Sequence, residues 1–138
     1  MRTQKIFLTM VGTLYLGLAL WCSVDPVVTS AKVGLERIGG SGGSEFLTVY
    51  GGLEFAMATL FLLPWKSSQF LRSSLLACLL IHASLVVFRS IGFAIYSDIS
   101  GMTYRLAIGE WVIFLTSLVL FLIPNSNSEG QDHLTGCT

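Results

Sequence analysis

Four stretches of this chain are almost continuously apolar, and each is long enough to cross a bilayer. They run from about Ile6 to Val24, Phe46 to Leu63, Phe70 to Tyr96 and Tyr104 to Ile123. A spanning helix needs about 20 mostly apolar residues. Pro64 and Pro124 follow the second and fourth runs and are predicted to stop those helices. Trp65, Tyr96 and Tyr104 stand at run ends, where interfacial aromatics collect. In the first connection, Asp25-Pro26 reads as an N-cap followed by proline at the first helical position. Val27, Ala31, Leu35 and Ile38 then recur at helical spacing up to Gly39-Gly40, which predicts a short amphipathic helix lying on the outer membrane surface. The run Gly39-Gly40-Ser41-Gly42-Gly43-Ser44 predicts a flexible connector, either a plain link between helix ends or a mobile lid. The pattern therefore predicts an all-α membrane protein: a four-transmembrane-helix bundle over 1–124, with a short extracytoplasmic amphipathic helix in its first loop. The polar stretch 125–138, with His133 and Cys137, is expected to be a disordered cytoplasmic tail without chemistry.

Composition sharpens this picture. The chain is 53% hydrophobic and only 12% charged, against about 25% charged in an ordinary soluble domain. Net charge is zero, so nothing points to nucleic acid. Cys22 and Cys78 fall in apolar runs near opposite membrane faces, too far apart to pair, and read as small buried hydrophobes. Arg2 and Lys5 precede the first run, and Lys66 and Arg72 flank the turn between the second and third. On the other side, Lys32, Arg37 and Arg105 are diluted by Asp25, Glu36, Glu45 and Asp98. The positive-inside rule then puts both termini in the cytoplasm, in a cell inner membrane. A cleaved signal peptide is the lesser reading of the first run, because no small-x-small cleavage site follows it.

Four ionisable residues interrupt the apolar runs: Glu54, His82, Arg89 and Glu110. A charge at a helix centre costs about 2.5–3.5 kcal/mol on insertion scales, so such residues face the bundle interior and pair. Counted from the helix ends, Glu54 lies about 12 Å, Arg89 about 10 Å and Glu110 about 9 Å below one face. Three helices thus deliver a Glu, an Arg and a Glu to one level. Cys78, His82, Arg89 and Tyr96 form one stripe on the third helix. Tyr50, Ala58 and Phe61 share the face of Glu54, and Thr103 and Ser117 share that of Glu110. Turned inward, these stripes predict a polar pocket opening outward, walled by aromatics, with His82 near its floor. Ligand-binding candidates are Glu54, Arg89, Glu110, His82, Tyr50 and Tyr96; candidates for acid or base are Glu54, Glu110 and His82. In one reading Arg89 bridges both carboxylates and fixes helix order. In the other the cluster binds or transforms a molecule. Two carboxylates against one guanidinium leave one negative charge over, so either one carboxyl carries a proton or a cation or donor ligand completes the site. Gly52 and Ala56 form a small-xxx-small pair suited to a close helix neighbour. No phosphate loop, nucleophile elbow, metal-binding His pair or haem motif occurs, so no metal and no cofactor is expected.

The architecture, with Tyr50-Gly51-Gly52-Leu53-Glu54 opening the second helix, Arg89 followed by Gly92, and Glu110 in the last helix, resembles a small bacterial membrane family called domain of unknown function 4345. That family is similar to the wider DoxX-like group of four-helix membrane proteins. The resemblance covers roughly Lys5 to Pro124. It implies a four-helix bundle and, by analogy with the wider group, association with oxidoreductase complexes or with assembly of other membrane proteins. The first expectation is therefore a binding, accessory or assembly factor, whose partners are the lipid bilayer, a lipid-like small molecule, another membrane protein or a second copy. The alternative is a membrane enzyme doing isomerase-like acid/base chemistry on a quinone, sterol or other apolar lipid.

Overall fold

The computed structural model of the protein describes residues 1–123. The expectations for Pro124, for the 125–138 tail and for His133 and Cys137 lie outside the described residues. The described chain is all helical and contains four helices long and apolar enough to cross a membrane. In order they are α1 (Arg2–Val24), α2 (Pro26–Lys32), α3 (Gly39–Phe46), a π-helical segment (Leu47–Leu53), α4 (Glu54–Lys66), a single 3-10 turn (Ser68–Phe70), α5 (Leu71–Ile95) and α6 (Gly101–Leu122). The stretch α3–π–α4 is continuous and forms the second span. Most packing joins α1 to α4 and α5 to α6, while α5 also touches both α1 and α4. The core of Leu8, Val11, Tyr15, Phe61, Leu71, Leu75 and Cys78 lies among α1, α4 and α5. Large apolar residues such as Leu14, Leu80, Val87, Ile108 and Leu115 point outward, as helices facing lipid require.

Three local expectations are corrected. The glycine–serine run is helix, not connector: the second span begins at Gly39, well before Phe46. Glycine costs about 1 kcal/mol in a helix that competes with hydrated coil. Next to an apolar medium the coil has no water to satisfy its backbone, and the helix closes those hydrogen bonds internally. Gly42 also lets this turn lie against the backbone of Arg37, where a Cβ would stand 3.2 Å from the Arg37 Cα. The second correction concerns α2, which ends at Lys32 rather than continuing to Ile38. Asp25 caps it as expected, accepting from the Val28 N–H at 3.2 Å, with Pro26 at the first position. Gly34 then takes a left-handed φ of 75°. Its N–H bonds to the Ala31 carbonyl and that of Leu35 to the Ser30 carbonyl, the pattern of a glycine-terminated helix. Gly34 stops the helix before the more conspicuous Gly39-Gly40 pair is reached.

Pro64 is the third correction: it sits inside α4, which runs on to Lys66. A proline there carries no N–H for the carbonyl of residue 60. That carbonyl is taken by α5 instead, because the buried Ser74 Oγ donates to the Leu60 carbonyl at 2.8 Å. A bond of the same kind closes the end of α6, where the Leu120 carbonyl accepts from Gln4 Nε2 of α1 at 2.9 Å. One carbonyl is freed by Pro64 and the other lies in the last turn of α6, and polar side chains from other helices occupy both. Close approach is set by Gly12 and Gly51. A Cβ on Gly12 would stand 2.9 Å from Leu62 Cγ, and one on Gly51 2.8 Å from Ser23 Oγ. Both hold α1 tightly on the second span. The expected Gly52–Ala56 pair points outward and packs on no other helix.

Replacing Ser74 by alanine should strand the Leu60 carbonyl and cost about 1–3 kcal/mol. In a Pro64→Ala background the same replacement should cost much less, since residue 64 then supplies its own N–H. Unfolding titrations of the four variants in detergent check this; equal losses in both backgrounds would refute the proline–serine coupling.

Candidate functional site

The polar residues of the spans divide into three groups. In the first, Arg89 of α5 and Glu110 of α6 form a two-point fork. Arg89 Nε donates to Glu110 Oε2 and Nη2 to Oε1, each at 2.5 Å. The side chains are 27% and 13% exposed respectively. A planar guanidinium matches a carboxylate in this geometry and fixes the register of the two helices. Both Glu110 oxygens are thereby used. Arg89 Nη1 has no hydrogen-bond partner among the described residues.

The second group is sealed. His82 is fully buried. Its Nδ1 lies 2.8 Å from the Cys78 carbonyl, and its Nε2 lies 3.0 Å from the Tyr15 hydroxyl. A carbonyl only accepts, so Nδ1 carries the proton and Nε2 accepts from Tyr15. Tyr15 and Phe61 also pack against the imidazole ring, at centroid distances of 5.8 and 6.3 Å. The expected pocket with His82 at its floor is therefore filled by Tyr15 and Phe61. Tyr15 is the residue that sequence reasoning missed. A tyrosine in mid-span, away from either interface, needs a partner for its hydroxyl, and that was the available signal.

Glu54 forms the third group. It begins α4 directly after the π-helical segment. Such segments add a residue to the helical ladder and are frequent at functional sites. Gly51, one turn above, rests on Ser23 near the end of α1. This places Glu54 toward the end of the bundle opposite the N-terminus, even though its helix starts at Gly39. Glu54 lies within electrostatic range of Tyr15, Tyr50 and Cys22. Its Oε2 is buried and has no hydrogen-bond partner among the described residues. Arg89 forms its ion pair with Glu110 and not with Glu54, so the bridging of both carboxylates is corrected. Glu110 takes the Nε and Nη2 edge of the guanidinium in a two-point fork, while Glu54 stands on another span. Tyr50 is half-buried and stacks on Phe46, with ring centroids 4.7 Å apart.

Above the Arg89–Glu110 fork an open cleft of about 500 Å³ lies between the end of α5, the first turn of α6 and the glycine turn after α2. Arg89, Gly92, Phe93 and Tyr96 line it from α5, Ser100 and Thr103 from α6, and Val33 and Gly34 from the turn. Phe93 packs on Tyr104 at 5.0 Å, which stiffens the wall. Tyr96 is largely exposed, at 71%. Of the six candidate ligand residues, Arg89 and Tyr96 share this cleft, and Glu110 sits behind it through the fork. Glu54 and Tyr50 belong to the second span, and His82 is enclosed.

Loss of one fork partner strands the other in a low-dielectric setting, which costs about 3–5 kcal/mol for a buried pair. Arg89→Gln should therefore destabilise strongly, while Arg89→Gln combined with Glu110→Gln should recover most of the loss. Tyr15→Phe should cost about 1–3 kcal/mol by stranding His82 Nε2 and leave the cleft unchanged. Thermal unfolding in detergent reads both; a double variant no better than Arg89→Gln alone would overturn the pairwise account.

The chain matches no family model, no curated protein and no solved structure, so the reading of this site rests on its geometry.

Proposed function

We propose that this is a multi-pass protein of the cytoplasmic membrane that binds an amphipathic small molecule at the Arg89 cleft and serves as an accessory or assembly factor there. The observation that carries this reading is the division of labour at Arg89. Two of its nitrogens are committed to Glu110, the third is unpartnered among the described residues, and Arg89 lines a space of about 500 Å³ with aromatic walls. Small-molecule sites combine apolar walls with a few placed polar groups. A guanidinium already neutralised by Glu110 offers a fixed donor rather than a net charge. Both termini are placed in the cytoplasm by the bias of Arg2, Lys5, Lys66 and Arg72 toward one side. The likeness to the four-helix families points the same way without naming an activity.

A second reading, an isomerase-like membrane enzyme, is favoured by one observation. Glu54 Oε2 is buried and unpartnered, the state of a carboxyl that awaits a proton or a substrate donor. His82 supports this reading less, because both of its ring nitrogens are engaged.

The test is native mass spectrometry of protein extracted gently from its own membrane. Arg89→Lys keeps a cation for Glu110 but loses the fork and the third donor. The expected result is a co-purifying small molecule on the wild type that is lost from a still-folded Arg89→Lys. A bare chain, or a molecule held equally by both, would refute the binding site. Glu54→Gln should retain the same molecule if the protein only binds. A different isomer in that variant, read by fragmentation, would favour the enzyme.

A further inference from the structure

The cleft above Arg89 continues downward. A second groove of about 360 Å³ is lined by Ser84, Leu85, Phe88 and Arg89. The two spaces share Phe88 and Arg89, so Arg89 marks their junction. The upper space carries Asp98, Ser100 and Thr103 as well as apolar walls; the lower is mainly apolar, walled by Leu85 and Phe88 with Ser84 at its foot. From Ser84 to the end of α5 at Ile95 the path is about 16 Å long at helical rise. It is open sideways, since Phe88 is 74% exposed, on a face that also exposes Ile91 and Ile95, with Ser84 one turn below. Such a channel has the polarity of a single lipid standing upright, with its tail below and its head above.

The charges in the upper space narrow the head. Arg89 is neutralised by Glu110, which leaves Nη1 as a donor at the junction. In the first turn of α6 the Thr103 N–H is taken by Ser100, which leaves the N–H groups of Gly101 and Met102 as donors beside the cleft. These groups suit a phosphate. Asp98 stands higher, past the end of α5, and its carboxylate has no partner among the described residues. It holds a left-handed backbone, φ 61°, which costs energy for a non-glycine residue although aspartate bears it better than most. Counting Arg89, Glu110 and Asp98 together, a purely anionic head would meet net repulsion. A head with a primary amine outside its phosphate would meet Asp98 with the amine and Arg89 with the phosphate.

Resting on the amphiphile-binding reading above, we infer that the cleft holds a zwitterionic membrane lipid whose head is an aminated phosphate ester, of the phosphatidylethanolamine type. The phosphate sits on Arg89 Nη1 and the α6 turn, the ammonium on Asp98, and one acyl chain lies along Leu85 and Phe88. A quaternary amine has no N–H to donate and an anionic head has no cation for Asp98, so both bind more weakly.

Two substitutions test this without touching the ion pair. A Cβ at Gly92 meets nothing within 4 Å, so Gly92→Leu fills the cleft and leaves the protein's own contacts in place. Asp98→Asn keeps a residue type that accepts positive φ and removes the charge. Protein is reconstituted in vesicles of equal parts phosphatidylethanolamine, phosphatidylcholine and phosphatidylglycerol, and the lipid retained after detergent release is counted by native mass spectrometry. The wild type should keep one phosphatidylethanolamine, favoured about tenfold, the scale of one charge-assisted hydrogen bond. Asp98→Asn should erase the preference, and Gly92→Leu should lose the lipid with unchanged thermal stability. Phosphatidylglycerol or phosphatidylcholine held as well as phosphatidylethanolamine by the wild type would overturn the head assignment and leave the binding reading standing. Lipid retention unaffected by Gly92→Leu would overturn the cleft itself. Displacement by millimolar free O-phosphoethanolamine would overturn the lipid in favour of a soluble zwitterion, and persistence of the lipid under that challenge supports it.

Discussion

In an apolar medium every polar group must find its partner inside the protein, and the fold is arranged around that constraint. The carbonyl freed by Pro64 and the one in the last turn of α6 show it most directly. Leu60 and Leu120 would each present an unpaired oxygen to the bundle if Ser74 and Gln4 did not reach across. Because the partners come from different helices, satisfying the backbone also fixes tertiary structure: Ser74 joins α5 to α4, and Gln4 joins α1 to α6. Tyr15 and His82 do the same between α1 and α5, and Arg89 and Glu110 between α5 and α6. In water each such bond would compete with hydration and contribute little. In lipid the alternative is an unsatisfied group costing several kcal/mol.

That constraint also explains what could be read from the sequence. The four spans were legible because hydropathy alone sets their length, and their ends fell within a few residues except at the second. There the Gly39–Ser44 run was judged by rules for chains in water, where glycine favours coil; beside the membrane the hydrogen-bonded helix wins. Pro64 misled for the same reason, since a proline ends a helix only when no neighbour takes its orphaned carbonyl. The pairing of Arg89 with Glu110 was half legible. The common level could be counted from helix ends, but which of the two carboxylates Arg89 takes depends on how the helices are placed around it. The π-helical segment above Glu54 has no composition signal beyond Gly51-Gly52, and the role of Tyr15 depends on which helix α1 faces. Asp98 and Gly92 were invisible as site residues, because one lies in a loop and the other has no side chain.

Glu54 stands apart from the other polar groups. Its Oε2 lacks the partner that the constraint demands, and it follows the least regular backbone in the spans. An orphaned buried oxygen next to an irregular helix is the pattern of a group kept free for something outside the chain. Glu54 and the Arg89 cleft lie on different spans, yet Tyr50 is within electrostatic range of both Glu54 and Arg89.

The two ends of the bundle are held differently, and this fixes where a site can be. At the end carrying the N-terminus, Lys5 donates to Ser68 Oγ at 2.8 Å, Trp65 Nε1 to Thr9 Oγ1 at 2.6 Å, and Arg72 covers the Phe121 ring at 4.9 Å. Gln4, Ser74 and most of the buried core belong to that half as well. At the opposite end, the fork, the Gly51–Ser23 contact and the Lys32 ammonium over Trp21 at 4.6 Å are spread among elements that leave open space between them. Mobility and binding are drawn from the less densely tied part of a structure. The fork is the floor of the cleft, and above it the Phe93–Tyr104 ring contact and the short turn from Tyr96 to Ser100 keep α5 and α6 together around that space.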